Sequence, residues 1–187
     1  MPLPGDFGLV RIKGDTGWDI RFGQFLNGDG FSKAEHALFY GGKDSDGVDF
    51  VIEAEPGGVR TAPLSEYDGR SIFWSTDLIP LTDQERFYII QKAMALIGTP
   101  YSFLDYLLIA LYRLHVRPKF LVARVQGTGH VICSQLVAQI YDQVLPGGFT
   151  PFGKPSYLVT PGALYKYLES LRRKFAILAR PKTKPIE

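Results

Sequence analysis

The sequence predicts an α+β fold on three observations. Strand-like runs separated by turn residues crowd the first half, apolar residues at helical spacing crowd the second, and 187 residues with 45% hydrophobic content suit one core. The expected layout is a single domain over 1–187, with a sheet half at about 5–80 and a helical half at about 81–175. An antiparallel sheet or small barrel would pack against the helices.

The strands come first. Phe7-Gly8-Leu9-Val10-Arg11-Ile12 reads as one, and a mixed segment from Trp18 to Phe31 follows, with Trp18, Phe22 and Phe25 or Leu26 at helical spacing. The clearest hairpin pairs His36–Tyr40 with Asp49–Ala54 through a turn at Gly41–Gly47. Val59–Leu64 and Ser71–Thr76 read as two more short strands, a meander.

Helices follow. Thr82-Asp83-Gln84-Glu85 matches a capping box, and Phe87, Ile90, Met94 and Ile97 mark the expected buried face until Gly98-Thr99-Pro100 ends the helix. A second apolar helix is expected at about Phe103 to Leu114. A third runs from near Cys133 to Val144, closed by Pro146-Gly147-Gly148, and a fourth, started by Pro161-Gly162, spans Ala163 to Arg173. Phe175 to Leu178 reads as a returning strand, and Arg172 to Lys184 as a basic, solvated end.

Composition excludes several functions. Lys plus Arg number 21 against 19 Asp plus Glu, a net charge of +2 that gives no dedicated nucleic-acid surface. The amino terminus lacks a basic and apolar leader, and the run Tyr106–Tyr112 falls far short of the roughly 20 residues of a membrane span. A soluble protein without a secretory signal is expected, cytoplasmic or delivered by a phage.

Several motifs fail on context. Gly148-Phe149-Thr150-Pro151-Phe152-Gly153-Lys154 has phosphate-loop spacing, but Pro155 stands where a hydroxyl belongs and a helix end precedes it. Asp44, Asp46 and Asp49 crowd the hairpin turn without the twelfth-position acid of a calcium loop, so they read as a solvated turn. His130, Cys133, His115 and His36 carry no zinc spacing. No metal or organic cofactor is expected.

Cys133 is the single cysteine, so it makes no internal disulfide; it is either a small buried residue or a reactive thiol. It stands where Gly127-Thr128-Gly129-His130 enters a helix, and a helix amino terminus stabilises a thiolate and donates to an oxyanion. Against this, Cys133, Val137, Ile140 and Val144 share one helix face, as core residues do. His36 opens a strand whose hairpin partner carries Glu53, so imidazole and carboxylate can meet. Glu55, two residues on, is the fallback. A buried, hydrogen-bonded core histidine accounts for His36 equally well.

Taken together these residues resemble a known family. Gly5-Asp6-Phe7-Gly8-Leu9-Val10, His36-Ala37-Leu38-Phe39-Tyr40-Gly41 and Ile52-Glu53-Ala54 look like the second half of NlpC-type cell-wall peptidases, and Gly98-Thr99-Pro100-Tyr101 with Cys133-Ser134-Gln135-Leu136-Val137 looks like the first half. The halves are exchanged, which resembles the circularly permuted papain-like fold of the bacterial permuted peptidases and, more remotely, lecithin:retinol acyltransferase. Two departures stand out: the long helical stretch between Tyr101 and Cys133, and Ser102-Phe103 where Gly-Gly often follows the tyrosine. The resemblance implies Cys133 as nucleophile, His36 as general base, Glu53 as the orienting residue and Tyr101 as a substrate-binding residue of the cleft. It implies a cysteine hydrolase cleaving amide bonds through an acyl-enzyme, with cell-wall-derived peptides as substrate. The alternatives are an acyltransferase or lipid-ester hydrolase on the same triad, its acyl groove lined by Phe103–Tyr112, or an inactive module of a phage assembly.

Overall fold

In a computed structural model of the chain, residues 1–11, 34–100 and 132–178 are described. The first half forms five short strands: β1 (Phe7–Val10), β2 (His36–Lys43), β3 (Asp49–Glu55), β4 (Gly58–Pro63) and β5 (Ile72–Trp74). The second half contributes α1 (Asp83–Ala95), α2 (Cys133–Val144) and α3 (Pro161–Leu178), with 3₁₀ turns at Leu64–Tyr67, Pro151–Gly153 and Ser156–Leu158. The strands make one antiparallel sheet in the order β4-β3-β2-β1-β5, so the α+β class holds, and among the described residues the sheet is open, with β4 and β5 at its edges. Trp18–Phe31, the helix expected at Phe103–Leu114, Tyr101, His115 and His130 lie outside the described residues.

Alternation decides which face each side chain takes. Phe7, Leu9, Ala37, Phe39, Ile52 and Ala54 line one face, where α2 lays Leu136, Val137, Ile140 and Tyr141 over them. Phe7 and Phe149 meet the Tyr141 ring edge-on, at 5.3 and 5.1 Å between centroids. The opposite face carries a smaller cluster of Val10, Leu38, Val51, Ala62 and Tyr67. The helix face expected for Cys133 is therefore too narrow, since Ser134, Gln135, Leu136, Ala138 and Tyr141 are buried as well.

The Gly5-Asp6 pair ties the sheet to two helices. Gly5 holds φ at +90°, and a Cβ there would lie 3.3 Å from the Arg86 backbone, so only glycine lets the chain pass this close to α1. Its carbonyl accepts from the Tyr141 hydroxyl at 2.8 Å. The buried Asp6 carboxylate accepts from Leu3 N, from Thr76 Oγ1 and from Arg86 Nη1, the last two at 2.7 Å. Gly58 meets a similar demand: at φ +114° a Cβ would lie 2.8 Å from the Thr99 carbonyl, to which Val59 N donates, so β4 is stitched to the segment leaving α1.

Three expectations need correction. The capping box of α1 forms as read, with Glu85 N donating to Thr82 Oγ1 at 3.2 Å and Thr82 N to Glu85 Oε2 at 2.7 Å, but its buried face is Ile89 and Ala93. Phe87, Met94 and Ile97 are exposed, because periodicity marks an apolar stripe without saying which side the sheet and α2 occupy. The fourth helix starts at Pro161, as the Pro161-Gly162 pair predicts, but runs beyond Arg173 through Phe175–Leu178, which do not return as a strand. β5 already pairs with β1, and Ile177 and Leu178 are exposed at the end of a continuous helix that satisfies their backbone locally. The turn also begins later than expected, since β2 continues through Gly41–Lys43 with a bulge between Tyr40 and Gly42.

The hairpin tip is the solvated turn expected. Asp44 Oδ1 accepts from the backbone N–H groups of Asp46 and Val48, and Asp49 accepts from Tyr40 and Lys43.

Candidate active site

Cys133 is the first residue of α2, and its neighbours hold that end of the helix in place. Ser134 Oγ donates to the Val159 carbonyl at 2.7 Å; the Gln135 side chain accepts from Ile132 N at 3.2 Å and donates to the Tyr157 carbonyl at 3.0 Å. The polar pair after Cys133 thus anchors the helix start to the 156–159 turn. His36 is the first residue of β2 and pairs in register with Val10. At this end of the sheet its ring lies close enough to the Cys133 side chain for each to favour the other's charged form.

The other side of the imidazole is occupied. His36 Nε2 lies 2.7 Å from Glu53 Oε2, which leaves Nδ1 for the thiol. Leu38 pairs with Glu53 across β2 and β3, so the histidine and the carboxylate meet diagonally on one face, and Glu53 rather than Glu55 is the partner. His36, Glu53 and Cys133 are all buried, so the thiol has no direct exposure to solvent. The structure brings together three of the four residues singled out in the sequence; the fourth, Tyr101, is outside the described residues.

Two further residues belong to this network. Tyr67 donates its phenol proton to Glu53 Oε2, and its ring lies parallel to that of His36 with centroids 6.3 Å apart. Arg60 Nη2 lies 2.8 Å from Glu53 Oε1, 3.1 Å from Glu55 and 2.8 Å from Glu66. Arg60 was legible in principle, because it falls directly opposite Glu53 once Glu55-Pro56-Gly57-Gly58 turns the chain. Tyr67 left no local signal; it arrives from a 3₁₀ turn after β4.

The charges follow from these contacts. Burial disfavours a protonated His36, but the charge and hydrogen bond of Cys133 and then those of Glu53 outweigh it and push the imidazole up to about 10. Burial likewise disfavours ionised Glu53, yet the bond and charge of His36, the Tyr67 phenol and the Arg60 charge hold its carboxyl below the usual range. Burial and the adjacent Glu53 charge keep Tyr67 a protonated donor. The arrangement can hold an imidazolium between a carboxylate and a thiolate.

His36, Glu53 and Glu55 also bring ligand atoms within 4.8 Å of one another, close enough to be tested as a metal centre. They fit one poorly. Arg60 already sits between the two carboxylates, where a cation would have to displace a guanidinium, and a protonated imidazole offers no lone pair.

No protein-family model and no curated protein matches this sequence. Among solved structures, one similar to it is the metalloprotein yiiX from Escherichia coli O157:H7, DUF1105, at 17% identity and a TM-score of 0.55 over 80% of this chain and 69% of that one. At that identity the likeness is one of fold.

Proposed function

We propose that this chain is a cysteine hydrolase of permuted papain-like architecture that cleaves amide bonds, with peptidoglycan-type peptides as substrate class. The observation that carries the reading is the run of buried polar contacts from Cys133 through His36 to Glu53, on a helix start and a strand end that polar neighbours hold rigidly. The Cys133 thiolate attacks the carbonyl carbon, and the Cys133 backbone N–H at the α2 terminus steadies the oxyanion. As the C–N bond breaks, His36 gives its proton to the leaving amine. Water then attacks the thioester, His36 takes a proton from it, and the carboxylic acid leaves as the thiolate and imidazolium are restored. Glu53, fixed by Tyr67 and Arg60, holds the ring in orientation. Because the thiol is buried, substrate must displace whatever covers it. The His36, Glu53 and Glu55 cluster is not read as a metal centre, since Arg60 bridges its two carboxylates.

Digestion of purified peptidoglycan fragments, followed by mass spectrometry of released amines, tests this directly. Cys133→Ala and His36→Ala should each lower turnover about a thousandfold or more while circular dichroism stays unchanged. Full activity in either folded variant would sink the mechanism. The mass of the adduct trapped on Cys133 after exposure to wall fragments or to lipid esters separates amide hydrolysis from acyl transfer.

A further inference from the structure

A cleft of about 650 Å³ opens between the β5 edge of the sheet and α3. Its floor is apolar, formed by Leu9, Ile72, Phe73 and Tyr165, with the Phe73 and Tyr165 rings edge to face at 5.4 Å. Arg11, Arg70 and Arg172, from three separate segments, also line it, against one carboxylate among the described lining residues, that of Glu169. Glu169 bonds Arg172 Nη2 at 2.8 Å, and Arg11 Nε lies 3.9 Å from buried Glu35. Arg70 stacks over the Tyr67 ring at 5.2 Å and has no carboxylate partner among the described residues. Arg172 lies over Phe73 at 5.7 Å, so its guanidinium faces the apolar floor.

The cleft adjoins the candidate active site. Val10 is the register partner of His36, and the residues on either side of it, Leu9 and Arg11, line the cleft. Leu9 shares the core cluster of Cys133, and Tyr67, beneath Arg70, is bonded to Glu53.

We infer that this cleft is a subsite for an anionic group on an apolar body, a carboxylate or phosphate held by Arg70 and Arg172 with its hydrocarbon or aromatic part against Phe73 and Tyr165. The inference rests on the proposed hydrolase and assigns its substrate a negatively charged group. Planar guanidinium groups suit both oxyanions, and against the carboxylates of Glu169 and the nearby Glu35 the three arginines still leave one cation in excess among the described residues.

Equilibrium binding to the full chain carrying Cys133→Ser removes chemistry from the measurement. N-acetyl-phenylalanine and phenyl phosphate are the two anionic probes, and N-acetyl-phenylalaninamide is the neutral control. Both anions should bind at least tenfold tighter than the amide, and preference between the two tells whether peptide carboxylates or phosphate esters are the natural source. Arg70→Gln and Arg172→Gln should each weaken anion binding about tenfold, whereas Lys174→Gln, on the same helix but outside the cleft lining, should leave it unchanged. Equal binding of amide and anion, or an equal effect of all three variants, overturns the subsite. Iodoacetamide labelling of the unsubstituted chain is read alongside. A reactive thiol without anion binding means that the subsite fails and the hydrolase stands; anion binding beside an inert thiol leaves the cleft an anion site and removes its catalytic assignment.

Discussion

Two buried carboxylates, each within salt-bridge distance of an arginine, organise this molecule in different ways. Asp6 accepts from a backbone N–H, a threonine hydroxyl and the Arg86 guanidinium, none of which changes charge near neutral pH. Glu53 shares Arg60 and Tyr67 with an imidazole, and that imidazole is coupled to a thiol. Burial and pairing are common to both, so neither marks chemistry. What separates them is a titratable group on the far side of the carboxylate, through which a proton can move to a nucleophile. Asp6 joins β1 to α1; Glu53 orients a ring.

That contrast can be broken at either carboxylate. The largest stability effect is expected for Asp6→Ala, which strands the largely buried Arg86 and should cost about 3–5 kcal/mol in urea unfolding. The surviving folded protein should alkylate at Cys133 at the unchanged rate; a large change there would mean that Asp6 also serves the site. Glu53→Gln should cost less, about 2 kcal/mol, yet slow Cys133 alkylation about tenfold or more, since an amide no longer supports the imidazolium.

The pH dependence of melting sharpens the same contrast. His36 is raised above its ordinary value of 6.5, so its contribution is complete below that pH and is lost as pH rises toward about 10. Glu53 is lowered below its ordinary value of 4.5, so its contribution is present above that pH and is lost in more acid solution. The network should stabilise most between about 4.5 and 6.5, and Cys133→Ala, by removing one source of the His36 shift, should flatten the alkaline limb. An alkaline limb identical in His36→Gln would rule out this origin.

Smaller effects follow at the supporting residues. Tyr67→Phe removes one donor to Glu53 and should cost about 1–2 kcal/mol, with a rate loss of a few fold in alkylation. Arg60→Met should cost only about 0.2–1 kcal/mol, because the side chain is 40% exposed and solvent screens its three carboxylates. An Arg60 loss exceeding that of Tyr67 would reverse the order of support assigned here.

Much of the scaffold was legible locally. The capping box at Thr82, the limits of the Cys133–Val144 helix and the hairpin that joins His36 to Glu53 depend on neighbours a few residues apart, which is where turn chemistry and side-chain period act. Apolar residues alone misled at Phe87, Met94 and Phe175–Leu178, because a periodic stripe or short run says nothing of what lies opposite. Within the site, Cys133 at a helix start and an acid across the hairpin from His36 could be read from residue type and position, while the choice of these three as a set came from the family resemblance. Tyr67 could not, since it reaches Glu53 from a 3₁₀ turn beyond the end of β4, with no pairing pattern to place it.

The sequence by itself determined the α+β order, a single thiol at a helix start and a histidine paired with an acid across one hairpin, all consequences of short-range geometry. Only the tertiary structure decided that the thiol faces the imidazole, that Glu53 rather than Glu55 completes the contact, that Arg60 stands where a cation would otherwise fit, and that three arginines from distant segments line one cleft. The physical reason is common to these four: each depends on bringing together side chains from different elements, and packing of the sheet against its helices sets those distances.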